Sequence, residues 1–308
     1  MLKNNIIKRF LLCLSCLFII FIIYLFPVKD KQVISREYKN SLESIIYLKN
    51  RNNYISRVTV YIPQKDQKEI IKEIIQYLTI GSNNSNYIKE GFYPIIPKNT
   101  RLLSMDLIED LVKLNFSDEF LNVAQNEEEN MISAIIYSIT SLSNIKKVSI
   151  YINNKLLDKL PKSGIALPPI LDRSFGINKT YDFNKPNGTV KTTIYYLSKE
   201  NDYYYYIPVT LINNYSKDKL EIIIKELSSK NSYQTGIISY INNIKQMSYV
   251  IEDDTVKINI DKALFDILNS NKTLETVIYS MNLSLEENTN AKEVIYMVDD
   301  YIYKKYFL

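Results

Sequence analysis

The chain has 308 residues, 46% hydrophobic and 23% charged, enough for two folded domains of ordinary size. It contains no His, and its 2 Cys stand at positions 13 and 16, so Ser–His, Cys–His and His–metal chemistry is excluded everywhere and disulfides are excluded downstream of Cys16. The formal charge of +4 owes much to Lys3, Lys8 and Arg9, and the near-neutral remainder offers no polycationic surface, so nucleic acid is not an expected partner.

In chain order, residues 1–9 are a basic cytoplasmic tail. The run FLLCLSCLFIIFIIYLF, from Phe10 to Phe26, is uncharged. At ~1.5 Å of rise per residue it reaches the short end of what crosses a bilayer core. Residues 10–28 are therefore expected to be an uncleaved transmembrane anchor, with the preceding cations keeping the N-terminus in the cytoplasm. No small-x-small cleavage site follows. Lipidation at Cys16 is the second reading: Ser15 fits it, but Cys13 occupies the place of an aliphatic residue. Residues 29–56 are polar with scattered Val33, Ile34, Leu42, Ile45, Ile46 and Leu48, and are expected to be a partly helical juxtamembrane stalk.

Residues 57–160 read as a first folded unit. RVTVYIP from Arg57 has the β-branched character of a strand. Ile70, Ile71, Ile74, Ile75 and Leu78 recur at helical spacing, with Gly81 as a stop. Leu103, Met105 and Leu107, then Val112, Leu114 and Phe116, alternate with polar residues on either side of Glu109-Asp110, which predicts two strands and a tight acidic turn. Met131, Ile132, Ile135, Ile136 and Ile139 mark a helix, and KKVSIYI a closing strand. Residues 161–189 hold four of the 9 prolines and three of the 6 glycines, and read as a linker.

Residues 190–308 repeat the order. TTIYYL and YYYYIPVTLI are expected strands. Leu220, Ile223, Ile224 and Leu227 mark a helix with Ser216 as its N-cap. A second acidic turn, Asp253-Asp254, lies between QMSYVI and TVKINI. Leu274, Val277, Ile278 and Met281 give a further helix, and KEVIYMV a final strand. Ser104 matches Ser248, Val112-Lys113 matches Val256-Lys257, Tyr137-Ser138 matches Tyr279-Ser280, and Val148 matches Val294. The chain is an internally duplicated α+β protein.

In the first unit, YLTIGS, then GFYPIIPKNTRLLSMDLIEDLVKLNFSDEF, SAIIYSIT and KKVSIYINN resemble the GerMN-domain family, with Pro97, Thr100, Leu102, Val112, Leu114, Asn115, Phe116, Ser117 and Phe120 in the family's places. The second unit keeps YIPVT, VKINI, VIYS and EVIYMV but has INNI from Ile241 in place of PKNT, and lacks a Gly after its first helix. The resemblance implies two small α+β domains, each a mainly antiparallel sheet packed with helices and similar to ring-building domains. It also implies a place in sporulation or germination. Such proteins are usually lipoproteins between mother cell and forespore, where they help assemble the channel complex between the two cells. The expected function is thus a membrane-anchored, extracytoplasmic, non-enzymatic scaffold. Its partners would be the membrane and envelope or sporulation channel proteins, with a homo-oligomer or ring as a further form. An envelope-binding module for peptidoglycan or a small ligand is the alternative.

Two clusters are weighed for chemistry. Glu109/Asp110 and Asp253/Asp254 could pair as glycosidase carboxylates, but neighbours in a turn diverge, and nothing apolar surrounds them to raise one pKa. Glu127–Glu129 and Glu252–Asp254 are hard oxygen ligands without the loop spacing of a calcium site. No catalytic, metal or cofactor residue is expected. The 26 Tyr are read as a compositional skew, scattered along strands and helices.

Overall fold

The computed structural model describes residue 14 and residues 41–183, 187–201, 203–214, 218–227 and 247–308. Phe10, Cys16, Phe26, residues 29–40, the expected N-cap Ser216 and the INNI stretch lie outside them, and Leu14 is an exposed helical residue. Among the described residues no helix is long and apolar enough to cross a membrane. Arg36–Leu308 form one compact unit, separate from Met1–Ser35.

Residues 41–56, expected as the end of a stalk, are instead a hairpin. Strand β1 (Ser41–Asn50) pairs antiparallel with β2 (Ile55–Pro63), from Ser41 opposite Pro63 to Lys49 opposite Ile55. Ser44, Ile46, Leu48 and Asn50 are buried on one face of β1, and Tyr47 is buried on the other. Burial on both faces erases the period-2 signal that would have marked the strand. Asn50 closes the turn, its side-chain oxygen accepting the N–H groups of Asn52 (2.9 Å) and Tyr54 (3.0 Å).

Helix α1 (Gln67–Leu78) starts at Asp66, whose carboxylate accepts the Glu69 N–H, and buries Ile71, Ile74, Ile75 and Leu78. Gly81 follows at φ +75°, where a Cβ would meet the Lys98 side chain at 3.4 Å. The segment up to Pro97 is then tied back: Ile95 and Ile96 donate to the Leu78 carbonyl (2.9 and 2.8 Å), and Ile80 donates to that of Ile96 (2.9 Å). A short β3 (Phe92–Tyr93) pairs antiparallel with the end of β1. Next come β4 (Leu102–Ile108), β5 (Leu111–Phe116), α2 (Glu128–Ile139), β6 (Lys147–Ile152) and β7 (Lys155–Leu156). They build a four-stranded sheet in the order β4-β5-β6-β7, with β5 and β6 parallel and joined through α2.

Residues 161–189 are not a free connection. Leu167, Leu171 and Ile177 are buried, and Leu171 exchanges two 2.8 Å backbone hydrogen bonds with Val148 of β6. This segment supplies β8 (Thr180–Asp182). After it, β9 (Val190–Glu200) and β10 (Tyr203–Asn213) form a hairpin followed by α3 (Lys219–Leu227). Then β11 (Met247–Glu252), β12 (Thr255–Ile260), α4 (Lys262–Ser270), α5 (Leu274–Asn288), β13 (Glu293–Val298) and β14 (Tyr301–Phe307) complete the chain. The sheet β11-β12-β13-β14 repeats the first copy's order, parallel pairing included. Helix α4, capped by Asp261, and strand β14, entered through Asp299-Asp300 at φ 48° and 67°, are additions to the expected pattern.

The two copies share their third sheet. Strand β2 meets β10 antiparallel at Arg57 opposite Tyr206, giving the order β3-β1-β2-β10, with β9 beyond and β8 parallel to the far end of β10. Below that bridge the strands part, and the Asn178 amide fills the gap. It donates to the carbonyls of Ile55 (2.7 Å) and Pro208 (2.6 Å) and accepts the Ile55 N–H (2.9 Å). One buried apolar cluster runs from Ile46 and Leu48 through Ile194 and Ile207 to Leu285 and Tyr296. The outer edge of β9 is closed by α5: Ser284 and Asn288 side chains accept the N–H groups of Tyr195 (2.9 Å) and Thr193 (3.0 Å), and Ser280 donates to the Tyr195 carbonyl.

Candidate functional site

The acidic pairs are turns, and the two turns match in their backbone, each second acid pairing with one of the two residues its carbonyl receives. Glu109 and Asp253, the first residues of each two-residue loop, sit at φ 52° and 50°. The Asp110 carbonyl accepts the N–H groups of Lys146 (2.9 Å) and Lys147 (3.0 Å), and the Asp254 carbonyl those of Lys292 (2.7 Å) and Glu293 (3.2 Å). Asp110 pairs with Lys147 at 3.1 Å and Asp254 with Lys292 at 2.6 Å. Each second acid thus staples a hairpin to the start of the parallel strand beside it. Glu252 is engaged by Lys257.

Glu127–Glu129 point to three different parts of the fold. Glu127 pairs with Lys49 of β1 (3.1 Å) and Glu129 with Lys179 (2.7 Å). Glu128, at 0% exposure, accepts the backbone N–H groups of Lys162 (2.7 Å) and Ser163 (2.8 Å). Burial pushes its carboxyl pKa up, but hydrogen bonds from Ser163 and Lys162 prevail and hold it below the usual range. Glu128 and Glu129 clasp the inter-repeat segment onto α2, and Glu127 ties β1 to the start of that helix.

A buried polar junction sits where the repeats join. Arg173, carried by that segment, donates to Glu287 of α5 (2.6 Å) and, at the end of α2, to the hydroxyls of Thr140 (2.9 Å) and Ser141 (3.0 Å). Its guanidinium lies 4.9 Å from the Tyr137 ring centroid. Tyr195 donates to Glu287 (3.2 Å), and the hydroxyls of Tyr195 and Tyr47 meet at 3.0 Å. Tyr47 in turn packs edge-on against Tyr137 at 5.3 Å. Burial draws the Arg173 pKa down, but Tyr47, Tyr195 and Glu287 more than reverse this and hold it above its ordinary value. Burial raises the Tyr195 pKa well above the phenol range. Cations also suit a helix C-terminus, which is where Arg173 meets α2.

Above the junction, at the surface of the seam, tyrosines converge. Tyr61, Arg57, Tyr206 and Tyr204 fall on one face of the shared sheet by strand alternation and the Arg57–Tyr206 register. Tyr279 of α5 joins them: Arg57 donates to its hydroxyl (2.9 Å) and lies 5.5 Å from its ring centroid. Tyr206 meets Tyr279 edge-on at 5.2 Å. Tyr61 is 52% exposed and Tyr279 39% exposed. Among the described residues Arg57 has no carboxylate partner. These five residues come from three separated stretches of chain, so no local spacing in the sequence could reveal them. The expectation that the tyrosines do not converge is corrected at this point.

The Germane family, described as "Sporulation and spore germination", matches residues 45–158. The spore germination protein GerM of Bacillus subtilis (strain 168) is 28% identical over 256 residues, spanning 81% of this chain and 69% of GerM. The solved tandem GerMN domains of the sporulation protein GerM from B. subtilis superpose with a TM-score of 0.74 at 25% identity, covering 85% of this chain and 92% of theirs. Residues 45–158 thus match that family, and the chain as a whole is similar to the tandem GerMN domains of GerM. Its mixed α+β fold matches a tandem GerMN arrangement, and the homology supports a sporulation-related role. The Germane match begins at residue 45, inside β1, in keeping with a hairpin there and not a stalk.

Proposed function

We propose that this protein is a GerMN-type, non-enzymatic scaffold that works through protein contacts during sporulation, held to the membrane by residues 10–28 with its folded part outside the cytoplasm. Its partners in this reading are components of the channel complex between mother cell and forespore, and side-by-side packing into an oligomer or ring is a form its sheet edges allow. One observation carries the reading: in each candidate pair the second acid, Asp110 or Asp254, is spent on stapling its hairpin to the neighbouring strand. What the seam leaves at the surface is a Tyr/Arg patch, the composition that concentrates binding energy in protein interfaces.

A spore-yield assay tests this. A strain lacking the gene is complemented with the chain carrying Glu109→Gln, Asp110→Asn, Asp253→Asn and Asp254→Asn together. Full recovery of spore yield is expected, because only exposed ion pairs worth ~0–1 kcal/mol each are lost. A stably folded variant that fails to complement would sink the non-enzymatic reading.

A further inference from the structure

The seam patch narrows the scaffold reading, on which this inference rests. We propose that Arg57 and the tyrosines around it are the contact surface for a partner protein that presents an Asp or Glu carboxylate to Arg57, flanked by apolar side chains that pack on the rings.

Three observations lead there. The guanidinium is already positioned: its strand register is set opposite Tyr206, one N–H is held by the Tyr279 hydroxyl at 2.9 Å, and its carbon lies 5.5 Å from the Tyr279 ring centroid. A fork fixed in this way loses little freedom on meeting a carboxylate, and Arg–carboxylate pairs use two parallel N–H···O bonds. Second, this cation has no acid among the described residues, whereas Arg51 and Arg173 each hold a glutamate. The carboxylate at the patch's edge, Glu43, is taken by the Tyr61 hydroxyl at 3.1 Å, so among the described residues Arg57 is left open to an acid that a partner brings. Besides Arg57 the patch carries Lys199, whose ammonium lies 5.4 Å from the Tyr204 ring centroid, and two cations suit a carboxylate-bearing protein, since phosphate backbones and anionic membranes are met by larger clusters. Third, Tyr61 and Tyr279 offer exposed ring area, and Tyr rings bind with little loss of conformational freedom. The patch also needs both repeats: Arg57 and Tyr61 come from one, Tyr204, Tyr206 and Tyr279 from the other. A single GerMN repeat would not contain it.

The test places a photo-cross-linking benzoylphenylalanine at position 61 of the full chain in sporulating cells, with position 301, an exposed tyrosine of β14, as the control. A protein adduct at 61 is expected, falling roughly tenfold or more in Arg57→Gln, as for loss of an interface arginine. Arg57→Lys, which keeps the charge and loses the fork, is expected to fall between, and circular dichroism of the purified variants confirms that they fold. The deciding arm is a charge swap: Arg57→Glu abolishes the adduct, and Lys at the partner's cross-linked acid restores it. An adduct indifferent to Arg57→Glu, an adduct with a second copy of this chain, or competition by soluble peptidoglycan fragments overturns the proposal. If position 301 cross-links to channel proteins while 61 does not, the patch fails and the scaffold reading stands. If no position on the folded unit yields a protein adduct, both fall.

Discussion

Replacing Arg173 by Met should destabilise the unit Arg36–Leu308 by ~3 kcal/mol, near the lower end of the ~3–5 kcal/mol that follows removal of one partner from a buried ion pair. Both ends of the pair set that magnitude. Glu287 keeps only 8% side-chain exposure, so losing its guanidinium strands a carboxylate in the junction. Arg173 keeps 30%, so water already shares part of its charge and the upper end of the range is not reached. The hydroxyls of Thr140 and Ser141 lose a donor as well, though both also bond back to carbonyls of α2. Adding Glu287→Gln to the Met variant should return about 2 kcal/mol, because it removes the stranded charge and keeps an acceptor for Tyr195. Urea unfolding of the two single variants, the double and the parent reads these differences, and by heat the Met variant should melt roughly 6–12 °C lower. A cost below ~1 kcal/mol for Arg173→Met, or a double variant no more stable than the single, would refute the claim that this pair locks the repeats together.

Three further outcomes follow from the same geometry. Glu128→Gln should be destabilising by about 1–3 kcal/mol at neutral pH, since a charge-assisted acceptor of two buried N–H groups is weakened. Because the folded carboxyl lies below its unfolded value of about 4.3, its contribution is complete above that pH and is lost as pH falls through the folded value. The stability gap between parent and Gln variant should therefore narrow as pH falls below the unfolded value, and a gap that does not shrink with acidification would contradict the assignment. Gly81→Ala should cost ~1–2 kcal/mol, measured by thermal unfolding, because its φ of +75° disfavours any Cβ even where the Lys98 stem can give way. Glu109→Gly, at φ 52°, should be neutral or slightly stabilising in the same assay and should leave spore yield unchanged.

What the sequence disclosed was local, and what it hid was tertiary. The Glu109-Asp110 and Asp253-Asp254 turns could be read because two alternating strands flank each of them, and that pattern needs no distant contact. Helix α1 announced itself by Ile71, Ile74, Ile75 and Leu78. Strand β1 did not, because Ile46 and Tyr47 are both buried on opposite faces and the segment adjoins a polar stretch. The inter-repeat segment looked like a linker through its Pro and Gly. Its ordered path depends on Leu171 bonding to Val148 and on the Asn178 amide reaching both Ile55 and Pro208. No periodic signal records contacts of that kind. Arg173 was one charge in an irregular stretch, and its role exists only once α2 and α5 meet. The duplication was legible as an order of elements, while the fusion of the two hairpins into one sheet rests on a single bridge, Arg57 to Tyr206.

The central claim is that the chain acts by holding other proteins during sporulation, and its most direct test is to ask what it touches in the cell. A tagged full chain, cross-linked in sporulating cells and purified under denaturing conditions, should carry proteins of the mother cell–forespore channel and concentrate at the septal membrane. Recovery of no protein partner, with the chain spread evenly around vegetative cells and bound to cell-wall glycan, would contradict it.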